Sequence, residues 1–277
     1  MPIRSDFIFS TQKLQDYVDC PRRFELRYLQ DMPWPALESE PYLAHEEHIQ
    51  LGKQFHQLAQ QLIIGIPSKQ LQTQTMHPVL EQWWLNLLDF YPSVKDNHLL
   101  AEVKIGAAIS EFRAIAVYDV LIIKEDASIT ILDWKTGATN KRPSSQSIRN
   151  RIQSKLYPLI YILANKNLLN QIKQKENMLQ MMYWFPHFPS QPEVISYTYL
   201  AYENDLAEIS KHIQEIDALT GKSFSLTVDK SHCKYCVYRS FCDRGISAGD
   251  FQDLLDVQET AQEDINLDFD HLEEIAF

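Results

Sequence analysis

Three residue types stand where they could do chemistry together. In ITILDWKTG, Ile129 to Gly137, Asp133 precedes Lys135 by two positions. On a β-strand, residues i and i+2 project from the same face, so a carboxylate and an ammonium would stand side by side at a strand end. Alone, such a pair is most often a surface ion pair. Fourteen positions earlier, Asp119 interrupts the apolar run Ala114 to Ile123. A carboxylate inside a buried strand is costly unless it is paired or holds a cation. If the strands carrying Asp119 and Asp133 pair as a hairpin, the two carboxylates converge into a hard-cation site suited to Mg²⁺ or Mn²⁺. Two carboxylates undersupply such an ion, and a helix can add a donor. His56 follows Gly52 by four positions, and the missing glycine side chain would let that helix face approach a sheet closely.

The four cysteines point to softer chemistry. Cys233, Cys236 and Cys242 form C-x2-C-x5-C in HCKYCVYRSFC, and Cys20 sits 213 positions before Cys233 in DCPRRF. Four thiolates suit an all-cysteine zinc site or an iron-sulfur cluster. One close pair with two outliers, in place of two close pairs, favours iron-sulfur, and zinc remains the alternative. Either would tie the two ends of the fold together. Four unrelated buried thiols are the bland alternative.

These groups must be positioned by ordinary elements. Ser10 to Leu29 reads as a helix capped by Ser10 or Thr11 and interrupted at Pro21, with Cys20 at the interruption. Met32 to Tyr42, with three prolines, is a connector. His45 to Ile64 is amphipathic, with Leu51, Phe55, Leu58 and Leu62 on one face, and Pro78 to Phe90 is a further helix. Period-two patterning then predicts strands over Leu99–Ile109, Phe112–Ile123 and Ser128–Asp133. Ser145 to Ala164 returns to helix with a bend at Pro158. Strands over Met178–His187 and Glu193–Tyr202 and a helix over Asn204–Leu219 follow. Trp83, Trp84 and Tyr183 to Phe185 read as core more readily than as base-stacking platforms.

The chain of 277 residues, 45% hydrophobic and 23% charged, is long enough for a sizeable core. No run approaches the roughly 18–20 apolar residues of a membrane span, and Met1 to Ser10 is not a signal sequence, so the expectation is a cytoplasmic protein with no membrane association. None of the seven glycines builds GxxxxGK[ST] or GxGxxG, which disfavours a nucleotide-driven motor or a dinucleotide enzyme. The net charge of −11 is unevenly spread: Ile246 to Phe277 holds ten acids and no Lys or Arg, and subtracting −10 from −11 leaves −1 for residues 1–245. Trp134 to Lys155 is the opposite, with Lys135, Lys141, Arg142, Arg149, Arg151 and Lys155 and no acid. Lys141, Arg142, Arg149, Arg151 and Lys155 are therefore candidates for a phosphate backbone, with a solvated loop as the bland reading. Arg22, Arg23 and Arg27 could extend that path. The tail over 246–277 reads equally as a partner-binding helix, an internal nucleic-acid mimic or a solubilising segment.

In this order, Gly52-x3-His56, Asp119, Asp133-x-Lys135 and Gln153-x3-Tyr157 resemble the PD-(D/E)XK nucleases of the RecB type. Cys20 in CPRRF and the C-x2-C-x5-C resemble their iron-sulfur subgroup, which includes the AddB nuclease domain and the RecB-like exonucleases linked to CRISPR adaptation. The resemblance runs from about Ser10 to Gly245. It departs at Ala116, where the family often has glycine three positions before the strand aspartate.

The resemblance implies that His56, Asp119 and Asp133 bind the divalent cation with the carbonyl of Trp134, and that Cys20, Cys233, Cys236 and Cys242 hold the cluster. It further implies that Lys135 positions water or stabilises developing charge, and that Gln153 and Tyr157 contact DNA or hold Lys135. The expected architecture is α/β, a restriction-endonuclease-like core with a central mixed sheet flanked by helices, plus a helical iron-sulfur wrapper from both chain ends. Residues 1–245 would form the nuclease domain and 246–277 an acidic tail. The expected function is a metal-dependent deoxyribonuclease, an exonuclease in DNA repair or CRISPR adaptation, with a helicase or integrase as possible partner. One alternative is a non-catalytic DNA-binding or assembly subunit; another is a cysteine-ligated zinc or redox protein.

Overall fold

The computed structural model describes residue 3 and residues 6–33, 40–137, 141–234 and 236–245; over 40–46 it describes the backbone alone. Residues 34–39 of the expected connector and the acidic stretch 246–277 lie outside the described residues.

The strands are β1 (Ile8–Phe9), β2 (His98–Ile109), β3 (Phe112–Ile123), β4 (Ile129–Trp134), β5 (Leu179–Trp184) and β6 (Glu193–Ser196). The helices are α1 (Thr11–Asp19), α2 (Pro21–Phe24), α3 (Glu40–Ile63), α4 (Ser68–Leu71), α5 (Pro78–Phe90), α6 (Ser145–Asn150), α7 (Ile152–Ala164), α8 (Lys166–Gln174) and α9 (Tyr199–Leu219). The six strands form one mixed sheet, an α/β arrangement.

Strand β2 runs antiparallel along β3 from Ile109↔Phe112 to His98↔Ile123. The other edge of β3 is shared. β1 pairs with its start in parallel, Phe9↔Ala114, and β4 pairs with its end in antiparallel, from Val120↔Leu132 to Ile123↔Ile129. Between these two partners β3 is open from Ile115 to Asp119, which creates a fork. β5 continues the sheet parallel to β4, and β6 closes it antiparallel to β5.

Helices cover both faces. Phe55, Leu58 and Leu62 of α3 and Leu80, Trp83, Trp84 and Leu87 of α5 pack on Val120, Ile122, Leu132, Trp134 and Trp184. On the opposite face, Leu156, Leu159 and Ile160 of α7 and Ile209, Ile213 and Ile216 of α9 pack with Tyr118, Leu121, Ile131 and Met181. Phe55 stacks on Trp184 at 6.3 Å, and both rings are fully buried. Burial of a side chain the size of Phe55 contributes about 3 kcal/mol.

Several expectations shift at element ends. Tyr199 to Tyr202 open α9 in place of ending a strand, because Thr198 accepts a hydrogen bond from Ala201 N–H and starts the helix. The expected helix over 145–164 breaks at Arg151, where the backbone is extended, and α7 continues through Pro158. α3 begins at Glu40, so Pro41 falls in its first turn, where a missing N–H is tolerated. Trp83, Trp84, Tyr183, Trp184 and Phe185 are core.

Candidate active site

The fork explains how buried carboxylates come to face each other. If the antiparallel register of β3 and β4 is extended one step beyond Val120↔Leu132, it sets Asp119 opposite Asp133. The backbones have begun to part there, and Asp119 Oδ2 accepts the N–H of Trp134 at 2.8 Å in place of a ladder bond. Strand alternation also changes phase at this level. Ala114, Ala116 and Tyr118 belong to the α7 face, whereas Val120 and Ile122 belong to the α3 face. Opposite the break, Glu102 of β2 adopts φ 54°. For a non-glycine residue this conformation costs on the order of 1–3 kcal/mol, and such strain concentrates at functional sites.

A cavity of about 340 Å³ opens at the fork, lined by α3 (Lys53, His56), by Glu102, Asp119, Asp133 and Lys135, and by α7 (Gln153, Tyr157). His56 Nδ1 lies 3.1 Å from Asp119 Oδ1. Ligand atoms of His56, Glu102 and Asp119 all lie within 4.8 Å of one another, a grouping that could hold a metal ion. Asp133 is turned to its other neighbours: Gln153 Nε2 donates to Oδ1 at 2.6 Å, and Lys135 Nζ is 2.8 Å from Oδ2. Lys135 Nζ also lies 5.5 Å from the centroid of the Tyr183 ring.

The electrostatics are those of acids crowded away from water. Burial would lower the His56 pKa, but the Asp119 carboxylate, with Asp133 and Glu102 behind it, raises it to about 9. Burial and then Asp119 push Glu102 up to about 7, against His56 and Lys104. Burial likewise lifts Asp133 to about 6, with Lys135 opposing and Asp119 adding to the rise. Asp119 moves the other way: burial is outweighed by His56 and by the Trp134 N–H, so it stays ionised. A cation would relieve this crowding. The donor set fits a hard divalent ion, with carboxylate oxygens and one imidazole around a cavity roomy enough for water to complete the shell. Among the described residues Gln153 Oε1 is buried without a hydrogen-bond partner, a further polar atom that added water could satisfy.

His56, Asp119, Asp133, Lys135, Gln153 and Tyr157, expected from the sequence, are thus brought together around one cavity. Gln153 bonds Asp133, whereas the resemblance implied a role toward DNA or Lys135. Glu102 was missed. In LLAEVKIGAAI it looks like the polar side of an alternating strand, and the one available signal is that alternation begins only after Leu99–Leu100–Ala101.

The five basic candidates do not line this cavity. Arg142 Nη2 meets Glu193 Oε2 at 2.6 Å, Arg149 Nη2 meets Glu193 Oε1 at 2.9 Å, and Lys155 meets Glu208 at 2.6 Å. Lys141 is exposed and Arg151 half-buried. Arg142, Arg149 and Lys155 of the acid-free stretch therefore receive their counter-charges from β6 and α9.

Cys20, Cys233, Cys236 and Cys242 line a second, small pocket with Arg23, Arg239, Arg244 and His232, and none forms a disulfide. Cys20 sits at the extended break between α1 and α2, which Pro21 enforces. The chain ends are joined beside it: Arg22 N–H donates to Ser225 O at 3.1 Å, and Phe224 N–H to Glu25 Oε2 at 3.1 Å. Burial raises the pKa of Cys236 and of Cys242, so a metal there would have to displace protons.

The helix-flanked mixed sheet with carboxylates and a lysine at its fork is consistent with a restriction-endonuclease-like core. The profile of the PD-(D/E)XK nuclease superfamily matches residues 8–243, and the chain belongs to that superfamily. Its nucleases use divalent metals, and DNA is the substrate the family implies. Among solved structures, the protein SSO0001 is similar at 13% identity and TM-score 0.42, over 88% of this chain and 90% of that one. A candidate exonuclease from Eubacterium rectale is similar at 10% identity and TM-score 0.44, over 76% of this chain and 79% of that one. No curated protein matches the chain. No described helix is long and apolar enough to cross a membrane.

Proposed function

We propose that the chain is a divalent-metal-dependent deoxyribonuclease of the RecB type, acting as an exonuclease on single-stranded or end-containing DNA. The observation that carries the reading is the convergence of His56, Glu102 and Asp119 with the Asp133–Lys135 pair in one cavity. His56, Glu102, Asp119 and Asp133 would hold Mg²⁺ or Mn²⁺, with the Trp134 carbonyl as a further donor. The ion, when bound, supplies a Lewis acid beside the scissile phosphate and lowers the pKa of water. Lys135 holds a fixed positive charge where negative charge develops on the phosphate. Gln153 keeps Asp133 in place, and Tyr157 lines the groove.

The four cysteines form, in this reading, a structural site for a 4Fe-4S cluster of the AddB and CRISPR-adaptation type, fastening the chain ends over residues 1–245. Zinc is the alternative, and visible absorption of anaerobically purified protein separates the two. What supports a shared site is that the four thiols line one pocket with guanidinium groups, which would offset the negative charge of a thiolate-ligated zinc or cluster. Repair or CRISPR adaptation, with a helicase or integrase partner, is the matching setting.

The experiment is cleavage of end-labelled single- and double-stranded DNA with Mn²⁺ or Mg²⁺, comparing the parent with Lys135→Ala. Cleavage by the parent alone is expected; equal cleavage by both removes the catalytic assignment. A parent that binds DNA without cleaving it would instead be a non-catalytic subunit.

A further inference from the structure

The first turn of α7 carries Gln153 to Asp133, yet it has no side-chain cap of its own. Its opening amide, Ile152 N–H, donates to Gln15 Oε1 at 3.0 Å, across a sequence separation of 137. A helix start needs partners for its orphan amides, and a residue that supplies one from a distant helix fixes where that turn sits. Gln15 belongs to α1, the helix that ends at Cys20. It is itself held: Gln15 Nε2 donates to Asp19 Oδ1 at 2.8 Å, and Asp19 Oδ2 meets Arg23 Nη2 at 2.7 Å. Arg23 lines the cysteine pocket. Polar contacts therefore run from the thiol site through Arg23, Asp19 and Gln15 to Ile152. The next residue, Gln153, meets Asp133 at 2.6 Å, and Asp133 meets Lys135 at 2.8 Å.

We propose that Gln15, half-buried and outside both pockets, is a positioning residue for the active site: it fixes the first turn of α7 so that Gln153 holds Asp133. The inference rests on the cation-binding reading of the cavity. A rival anchor exists, because Ser154 Oγ donates to Ile148 O at 2.6 Å and lies 2.7 Å from Tyr183 Oη. If Ser154 alone fixes the turn, Gln15 is dispensable.

The test is Mn²⁺ affinity of the full chain, read by electron paramagnetic resonance, for the parent, Gln15→Leu, Gln15→Glu, Gln153→Leu and the Gln15→Leu/Gln153→Leu double variant. Gln15→Leu is expected to weaken Mn²⁺ binding by about tenfold, as outer partners of metal ligands do. Gln153→Leu should do the same, and the double variant should be no weaker than either single one, because both remove one interaction. Gln15→Glu keeps an acceptor for Ile152 N–H but sets a second carboxylate against Asp19, so its loss should be smaller than that of Gln15→Leu; a parent-like melting transition in Gln15→Leu separates positioning from loss of fold. Parent-like affinity in Gln15→Leu, or losses that multiply in the double variant, overturns the proposal. A parent that takes up no Mn²⁺ overturns the cation reading and this proposal with it. A parent that binds Mn²⁺ but cleaves no DNA overturns only the nuclease reading.

Discussion

The cavity at the fork gathers oxygen and nitrogen donors from residues 56–157, the middle of the chain, whereas the cysteine pocket gathers sulfur donors from residues 20 and 233–242, near its ends. The first is set in regular structure: a helix face, a strained strand residue and two strand positions where backbones part. The second is set in a helix break and in the turns after α9, with few ladder bonds to hold it. The fork is set in regular elements packed on two cores, so changes there should alter chemistry more than fold. The cysteine pocket closes the chain on itself, so changes there should alter fold before chemistry.

Lys135→Ala should separate chemistry from fold most strongly. Loss of a fixed positive charge at the phosphate should lower cleavage by about 10²–10³-fold. Asp133, already lifted to about 6, can take up a proton when its partner is gone, so the folded yield should hold. Cys236→Ser should show the converse pattern, with most folded protein and bound iron lost, measured by soluble yield and iron content. If it folds and binds iron like the parent, the cysteine site is not structural.

Glu102→Gln should weaken Mn²⁺ binding by at least about tenfold in calorimetric titration. The same change removes a like charge from Asp119 and should leave the metal-free melting temperature equal or higher.

The cation competes with protons at the fork. Asp133 near 6, Glu102 near 7 and His56 near 9 are all raised, so each holds a proton at low pH that the ion must displace. Mn²⁺ affinity should therefore rise with pH from 5.5 to 8. Proton release, measured by calorimetry in buffers of different ionisation heat, should fall toward the His56 contribution alone at the upper end. Affinity that is flat over this range would contradict the buried-acid account.

The smallest effect belongs to Ala116→Gly, which restores the residue the family often carries. Ala116 is buried in the α7-side core, and the change should cost about 0.5–1 kcal/mol in strand stability while leaving cleavage nearly unchanged.

Much of this fork was legible in the sequence. Asp119 stands out because a charge in an apolar run has to be accounted for, and Asp133-x-Lys135 because strand geometry puts both on one face. Glu102 was hidden because an acid after an apolar triplet reads as a solvent-facing position; only the phase change opposite Asp119 turns it inward. The counter-charges of the 134–155 stretch were hidden for a related reason: Glu193 and Glu208, which pair with Arg142, Arg149 and Lys155, come from later elements, and local charge counting does not see them. The α9 start was misplaced because Thr198 caps a helix in a stretch whose aromatic and β-branched residues suit a strand equally well.

In this reading one cation is shared by His56, Glu102, Asp119 and Asp133. An anomalous-difference map from crystals grown with Mn²⁺ tests it most directly. A peak is expected within roughly 2.0–2.6 Å of donor atoms from those residues. A map with no peak at the fork, or with manganese bound only elsewhere, would contradict it.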